Sequence, residues 1–151
     1  MPAIKRNLLK SFSALLLAAV PLAAQALDYR SVTAPAVLYD SPALAGKKLY
    51  VVGTGYPVEI VVDLSDWAKV RDSKGELAWI QSRLLSTQRT VVVTAQTAMV
   101  RQAPDSKSTV LLRVAQNVLL ERQDGAPPGW VKVHHRDGVT GYISVSDVWG
   151  E

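Results

Sequence analysis

Two similar segments of the sequence carry aromatic and lysine side chains at the same spacing. They are "WAKVRDSKGELAWI" (67–80) and "WVKVHHRDGVTGYI" (130–143). An aromatic face can stack on a sugar ring or a peptide plane, and a neighbouring ammonium group can meet a carboxylate. The pattern therefore predicts ligand binding by the positions that the two segments share. These are Trp67, Lys69 and Trp79 in the first segment and Trp130, Lys132 and Tyr142 in the second.

His134 and His135 are the only place in the sequence that indicates metal binding or acid–base chemistry. Adjacent strand residues point to opposite faces, so two imidazoles there cannot easily share one ion. The first segment has Arg71 and Asp72 at these positions, and the sequence contains no cysteine and no G-x-S-x-G motif. We therefore expect neither an enzyme nor a protein that needs a metal or another cofactor.

The two segments belong to a longer internal repeat. Trp67 and Trp130 are 63 residues apart, and Gly75 and Gly138 keep the same offset. Earlier in each half, "VTAPAVL" (32–38) is similar to "VTAQTAMV" (93–100). The differences in length can lie in turns, which absorb them at little cost. The sequence therefore predicts two copies of one module, residues 29–86 and 90–149, joined by a short linker.

Each copy has the pattern of a small all-β domain. Runs of β-branched and aromatic residues are separated at short intervals by Gly, Pro, Asp and Ser. A strand that starts at Trp67 places Lys69 on the same face as that tryptophan, while Ala68 and Val70 point to the opposite face, which we expect to be the core. Trp79 joins the outer face if the hairpin register agrees. Two alternatives remain open for the tryptophans: they face a ligand, or they close the open end of a barrel.

Residues 1–26 have the pattern of a cleavable export signal. Basic residues precede the uncharged apolar run "SFSALLLAAVPLAA", and "AQA" (24–26) is a typical cleavage site. The alternative is a membrane anchor, for which this run is short. The segment holds three of the 17 basic residues and none of the 13 acidic ones, so cleavage leaves a net charge of only +1. A nucleic-acid partner is therefore not expected.

Each copy resembles a bacterial SH3-like domain. The resemblance rests on the early segment "AMVRQAPDSKSTVL", the W-x-K-V strand, the glycine turn and the closing "SRLL" or "SVSDV". It implies a small β-barrel of about five or six strands in each copy and a binding role without catalysis. Arg101 keeps the arginine of the family's early segment in the second copy, and the resemblance implies a ligand-binding role for it. Tyr39 stands in its place in the first copy.

These observations together predict an exported, soluble periplasmic protein made of two SH3-like barrels. The resemblance implies that such modules bind peptidoglycan peptides or protein partners, and the Cys/His peptidase domain that often accompanies them is not expected here because cysteine is absent. We expect recognition of envelope material, most directly peptidoglycan peptides, and no membrane span after signal cleavage. The alternative is a periplasmic scaffold for another protein that does not bind peptidoglycan. The sequence leaves the oligomeric state open.

Overall fold

The structure, a computed structural model, describes residues 26–151. The predicted signal sequence lies outside the described residues except for Ala26. The described chain is all-β, as expected, and its strands form two seven-stranded sheets. The first sheet contains β1 (Tyr29–Val32), β2 (Ala36–Tyr39), β3 (Lys48–Val52), β4 (Pro57–Asp63), β5 (Trp67–Arg71), β6 (Leu77–Gln81) and β7 (Leu85–Ser86). We call this sheet and its loops the first module.

The second sheet repeats the first in the same order. It contains β8 (Thr90–Val93), β9 (Thr97–Arg101), β10 (Val110–Ala115), β11 (Leu119–Gln123), β12 (Trp130–His134), β13 (Thr140–Ser144) and β14 (Val148–Trp149). A short 3₁₀ turn precedes the last strand of each sheet, at Ser82–Leu84 and at Val145–Asp147. We call this sheet and its loops the second module.

A period-two pattern of burial builds each module around its own apolar core. Along both β5 and β12, half-buried and buried residues alternate, as expected for a strand with one face in the core. Ala68 and Val70 are fully buried, and so are Val131 and Val133. The core of the first module also contains Leu38, Val58 and Ile80, and that of the second contains Val100, Leu120 and Ile143. The branched side chains of the repeat therefore hold each sheet in its bent form.

The two modules have the expected fold, but their sheets are not closed barrels. The strand order of the first sheet is β3-β2-β6-β5-β4-β1-β7, and the second sheet has the equivalent order. The pairing ends at β3 on one side and at the two-residue strand β7 on the other, and these strands do not pair with each other. The resemblance implied five or six strands, and the short β7 and β14 bring each sheet to seven.

The outermost strands β3 and β10 each have a bulge at the same place. In the first module Leu49 is the extra residue between the partners of Leu38 and Tyr39, and in the second Leu111 is the extra residue at the equivalent point. A bulge bends the strand and increases its twist. The shared bulge confirms that the two copies have the same fold in detail as well as similar sequences.

The two modules pack against each other. Tyr29 of the first meets Trp149 of the second edge to face, with ring centroids 5.2 Å apart. The Thr90 hydroxyl donates a hydrogen bond of 2.7 Å to the carbonyl oxygen of Gly55. The guanidinium group of Arg89 lies 5.3 Å from the centre of the Tyr29 ring. These contacts join β1 to β14 and the start of β8 to the β3–β4 turn, so the modules meet along a defined surface.

No helix in the described part of the chain is long and apolar enough to cross a membrane.

Candidate functional site

The β5–β6 hairpin sets the geometry of the site in the first module. Its register pairs Trp67 with Gln81 and Lys69 with Trp79. Cross-strand partners point to the same side of a sheet, so Trp67, Lys69 and Trp79 share the outer face. The prediction that depended on the hairpin register is therefore confirmed. The core face of the same hairpin holds Ala68 and Ile80, both fully buried.

A continuous row of side chains crosses five strands of the first module on this outer face. Successive cross-strand pairs join its members from β4 to β3. We call this set the outer row; it consists of Val62, Lys69, Trp79, Tyr39 and Lys48. The ammonium group of Lys69 lies 6.0 Å from the centre of the Trp79 ring, a distance at the limit of a cation–π contact. The row thus combines two aromatic rings with two cations.

Trp67 lies next to the outer row and is half-buried. Its ring meets that of Tyr39 edge to face at 5.5 Å, and Tyr39 is itself buried. Trp67 also lines an open cleft of about 710 Å³. Leu44 from the β2–β3 loop, Asp66 and Arg83 line the same cleft. Sequence reasoning did not identify Leu44, which is 66% exposed, because its loop carries no local signal of a ligand.

The second module carries the equivalent row with different chemistry. Its successive pairs are Gln123–Lys132, Lys132–Tyr142, Tyr142–Arg101 and Arg101–Val110. Arg101 therefore occupies the place of Tyr39, as the resemblance implied. Its guanidinium group, however, donates to the carbonyl oxygen of Ser108 at 2.8 Å and to the sulfur of Met99 at 3.3 Å. These two contacts direct Arg101 towards the β9–β10 loop.

Trp130 lines a smaller cleft that shares only Gln123 with the second row. The cleft measures about 370 Å³ and includes Pro127, Pro128, Arg122 and Val145. The two modules therefore place their equivalent tryptophans in surroundings of different composition. The structure does not bring Trp67 and Trp130 into one site, and each lies among the loops of its own module.

Exposed aliphatic side chains are concentrated in the first module. Among residues 29–86 the large exposed ones are Leu44, Leu49, Val51, Val61, Val62, Leu64 and Leu77. Among residues 90–149 Leu111 is the only one. Exposed apolar residues that cluster on one part of a protein mark interaction surfaces, whereas scattered ones do not. The first module therefore exposes more large aliphatic side chains than the second.

Ionic and polar contacts fix the hairpin that presents the site. Both oxygens of the buried Glu59 carboxylate accept from one nitrogen of Arg71, at 2.8 and 2.9 Å. In the β5–β6 turn, the carboxylate of Asp72 accepts from the backbone N–H groups of Lys74 and Glu76. Tyr50 donates its hydroxyl proton to Asp72 at 3.0 Å, and burial together with this contact raises the pKa of Tyr50 well above its ordinary value.

The two histidines occupy structural positions on the β12–β13 hairpin. His134 Nδ1 lies 2.8 Å from the hydroxyl of Thr140 on the neighbouring strand. His135 Nδ1 accepts from the backbone N–H of Asp137, so His135 supports its turn as Asp72 supports the turn of the first module. The Asp137 carboxylate, which lies 3.3 Å from His135, is largely exposed. Within residues 26–151 no group of three or more His, Asp or Glu residues is arranged to hold a metal ion.

The family of the chain follows from a comparison with models of known domains. The bacterial SH3 domain model matches residues 32–87 and matches again at residues 94–150. The two matches coincide closely with the two sheets and together cover most of the sequence. The chain therefore belongs to the bacterial SH3 domain family, as a tandem pair of such domains.

Solved structures give more distant likenesses. NlpC2 and NlpC1 from Trichomonas vaginalis are each 22% identical to this chain, with TM-scores of 0.37 and 0.38. The alignments cover 84% and 93% of this chain but 49% and 51% of those proteins. An NlpC/P60 family protein from Bacillus cereus ATCC 10987 is 17% identical with a TM-score of 0.37, and the alignment covers 80% of this chain and 55% of that one. The chain thus spans about half the length of these structures. No curated protein gives a significant match.

Proposed function

We propose that this protein binds cell-envelope material without chemistry, and that its first module recognises peptides of peptidoglycan. The observation that carries the proposal is the outer row of the first module, in which two neighbouring aromatic side chains, Trp79 and Tyr39, lie between Lys69 and Lys48. Membership of the bacterial SH3 family supports a binding role. The export signal expected from residues 1–26 supports a location in the periplasm.

The chemistry of the outer row suits a short peptide that carries carboxylates. The faces of Trp67 and Trp79 offer flat apolar surface to peptide planes and aliphatic side chains. Lys69, beside Trp79, and Arg83, at the rim of the Trp67 cleft, can pair with carboxylates of such a peptide. Exposed ion pairs contribute little by themselves, so we expect the aromatic rings to supply most of the affinity.

Sedimentation with purified sacculi tests the proposal. The protein with both modules intact should sediment with sacculi and show a change in tryptophan fluorescence. Trp79→Leu and Lys69→Gln should each weaken binding, because they remove the ring and the cation of one cross-strand pair. Tyr142→Leu and Lys132→Gln are the matched controls, since they change the equivalent pair of the second module.

Two results would contradict this proposal. The first is a failure of the unmodified protein to sediment with sacculi, which removes peptidoglycan as the ligand. The second is an equal loss of binding in the control variants, which removes the special role of the first module. Far-ultraviolet circular dichroism of each variant separates a loss of binding from a loss of fold.

A second candidate function is a scaffold for a periplasmic protein, and the exposed end of β4 favours it. Val61, Val62 and Leu64 lie within four consecutive residues and are each about 40% exposed. Crosslinking in cells should then give a discrete protein adduct that persists in the Trp67→Ala, Trp130→Ala double variant. Val61→Ser with Leu64→Ser should remove the adduct. Loss of the adduct in the tryptophan variant would contradict the scaffold function.

A further inference from the structure

A cleft of about 540 Å³ lies between the two modules, away from Trp67 and Trp79. We call it the inter-module cleft. On one side it is lined by β3, the β3–β4 turn and the β5–β6 turn of the first module, including Tyr50, Val51 and Tyr56. On the other side it is lined by Val92, Asn117 and Leu119 of the second module. Its volume is within the range of sites that hold small molecules.

The side chains of this cleft combine fixed hydroxyl groups with an apolar wall. Tyr50 donates to Asp72, and the hydroxyl oxygens of Tyr56 and Ser73 are 2.7 Å apart. The backbone N–H of Ser73 also donates to Tyr56 at 3.3 Å. Since each phenol is held by the β5–β6 turn, the hydroxyl groups are pre-organised, and the Tyr50 oxygen keeps acceptor capacity for a ligand.

The second module has no tyrosine at the positions equivalent to the two tyrosines of the cleft. Tyr50 pairs with Leu38 as Leu112 pairs with Val100, so Leu112 is its counterpart in the second module. The carbonyl of Tyr56 accepts from the N–H of Val32, and the carbonyl of Val118 accepts from Val93 in the same way. Both tyrosines are therefore replaced by aliphatic residues in the second module. At these two positions phenol groups therefore occur only in the first module, where both line the cleft.

We propose that the inter-module cleft binds an uncharged acetamido sugar. This proposal rests on the proposed function of the protein as an envelope-binding protein. Such a sugar has hydroxyl groups for the tyrosines and for the Asn117 amide, and an acetamido methyl group for the aliphatic wall formed by Leu119 and Val51. The lining carries one cation, Lys74, and two carboxylates, Glu76 and Asp72. The Asp72 oxygens already accept from Tyr50 and from two backbone N–H groups, so the lining repels an anionic ligand and suits a neutral one.

Other ligand classes fit the cleft less well. A purely apolar ligand would cover the Tyr56 and Ser73 hydroxyls and the Asn117 amide without hydrogen-bonding to them, which costs affinity. An anionic peptide would gain at Lys74 but would be repelled by Glu76 on the same turn. A sugar without the acetamido group would leave the aliphatic wall uncovered.

A titration monitored by amide NMR tests this site with the two-module protein. The probe is the trisaccharide of N-acetylglucosamine, and the comparison is the trisaccharide of glucose. We expect saturable shifts confined to residues 50–56, 72–76, 92 and 117–119, and about tenfold weaker binding of the glucose trisaccharide, because a missing group in a formed pocket costs about a factor of ten or more.

One substitution blocks the cleft at little risk to the fold. Val51 is 65% exposed at the mouth, and its counterpart in the second module is Arg113. The fold therefore already accepts arginine at this position, and Val51→Arg should weaken trisaccharide binding about tenfold or more, a change of about 1.4 kcal/mol. Arg113→Val is the matched control and should leave binding unchanged.

The outcomes separate this proposal from the proposed function. Trp79→Leu should weaken sacculus binding and leave the trisaccharide titration unchanged, because Trp79 does not line the cleft. Absence of saturable shifts, shifts centred on Trp67 and Trp79, equal binding of both trisaccharides, or no effect of Val51→Arg would each overturn the sugar site. None of these results would decide whether the outer row binds peptides.

Discussion

The hydrogen bond from Thr90 to Gly55 offers a direct test of how firmly the modules are joined. Thr90 is buried, and its hydroxyl donates to the Gly55 carbonyl oxygen at 2.7 Å across the boundary. Thr90→Val keeps the shape and the strand preference of the side chain but removes the donor. A net hydrogen bond contributes about 0.5–1.5 kcal/mol, and a carbonyl left without a donor adds to the loss. Because Gly55 is only half-buried, we expect a total cost of about 1–2 kcal/mol.

Urea unfolding of the two-module protein measures this cost. For a slope of about 1.5 kcal/mol per molar urea, the midpoint should fall by roughly 1 M with no large change in the slope. Thr97→Val is the matched control, since Thr97 is exposed and its substitution should change stability by less than about 0.5 kcal/mol.

Thr90→Val should also weaken trisaccharide binding, because the inter-module cleft exists only where the modules are docked. Equal midpoints for the two variants would refute the view that this contact holds the modules together.

Three further predictions concern single positions. Gly141→Ala should destabilise the second module by about 1–3 kcal/mol in thermal unfolding, because the new Cβ would lie 2.5 Å from the carbonyl oxygen of Arg101. An unchanged unfolding temperature would be inconsistent with the close approach of β9 and β13. Asn117 has a φ of 69°, so Asn117→Ala should cost about 1 kcal/mol while Asn117→Gly costs little, and chemical denaturation should rank them in that order. The pKa of Tyr50 is raised on folding, so its contribution to stability is present below the unfolded-state pKa of about 10 and is lost as the pH rises above it. Tyr50→Phe should therefore flatten the alkaline loss of unfolding free energy, and an unchanged pH profile would exclude this explanation.

The repeated hairpin could be predicted from the sequence because its determinants are local. A two-residue period, a turn with Gly75 or Gly138 and the second copy of the pattern together placed Ala68 and Val70 in the core and Lys69 outside. The positive φ of both turn glycines agrees with that prediction. Local patterns fix which face of a strand is buried, since that depends only on alternation.

The surroundings of the site depended on contacts between distant segments and were not predicted. The contact of Tyr39 with Trp67 requires β2 to lie beside β6, which no local pattern shows. The anchoring of Arg101 to the Ser108 carbonyl depends on the course of a loop. The inter-module cleft depends on docking through residues such as Thr90, whose sequence neighbours give no sign of a partner.

The bulges at Leu49 and Leu111 also affect how easily the open sheet edges can pair with a second molecule. Leu49 lies on β3 and Leu111 on β10, each at one edge of its sheet. The unpaired backbone N–H and C=O groups of an edge strand are a template for pairing with a strand of another chain. An extra residue interrupts the even spacing of these groups, so an incoming strand cannot pair along the whole edge. The edges at β3 and β10 are therefore poor templates for a strand of a second molecule, even though no neighbouring strand covers them.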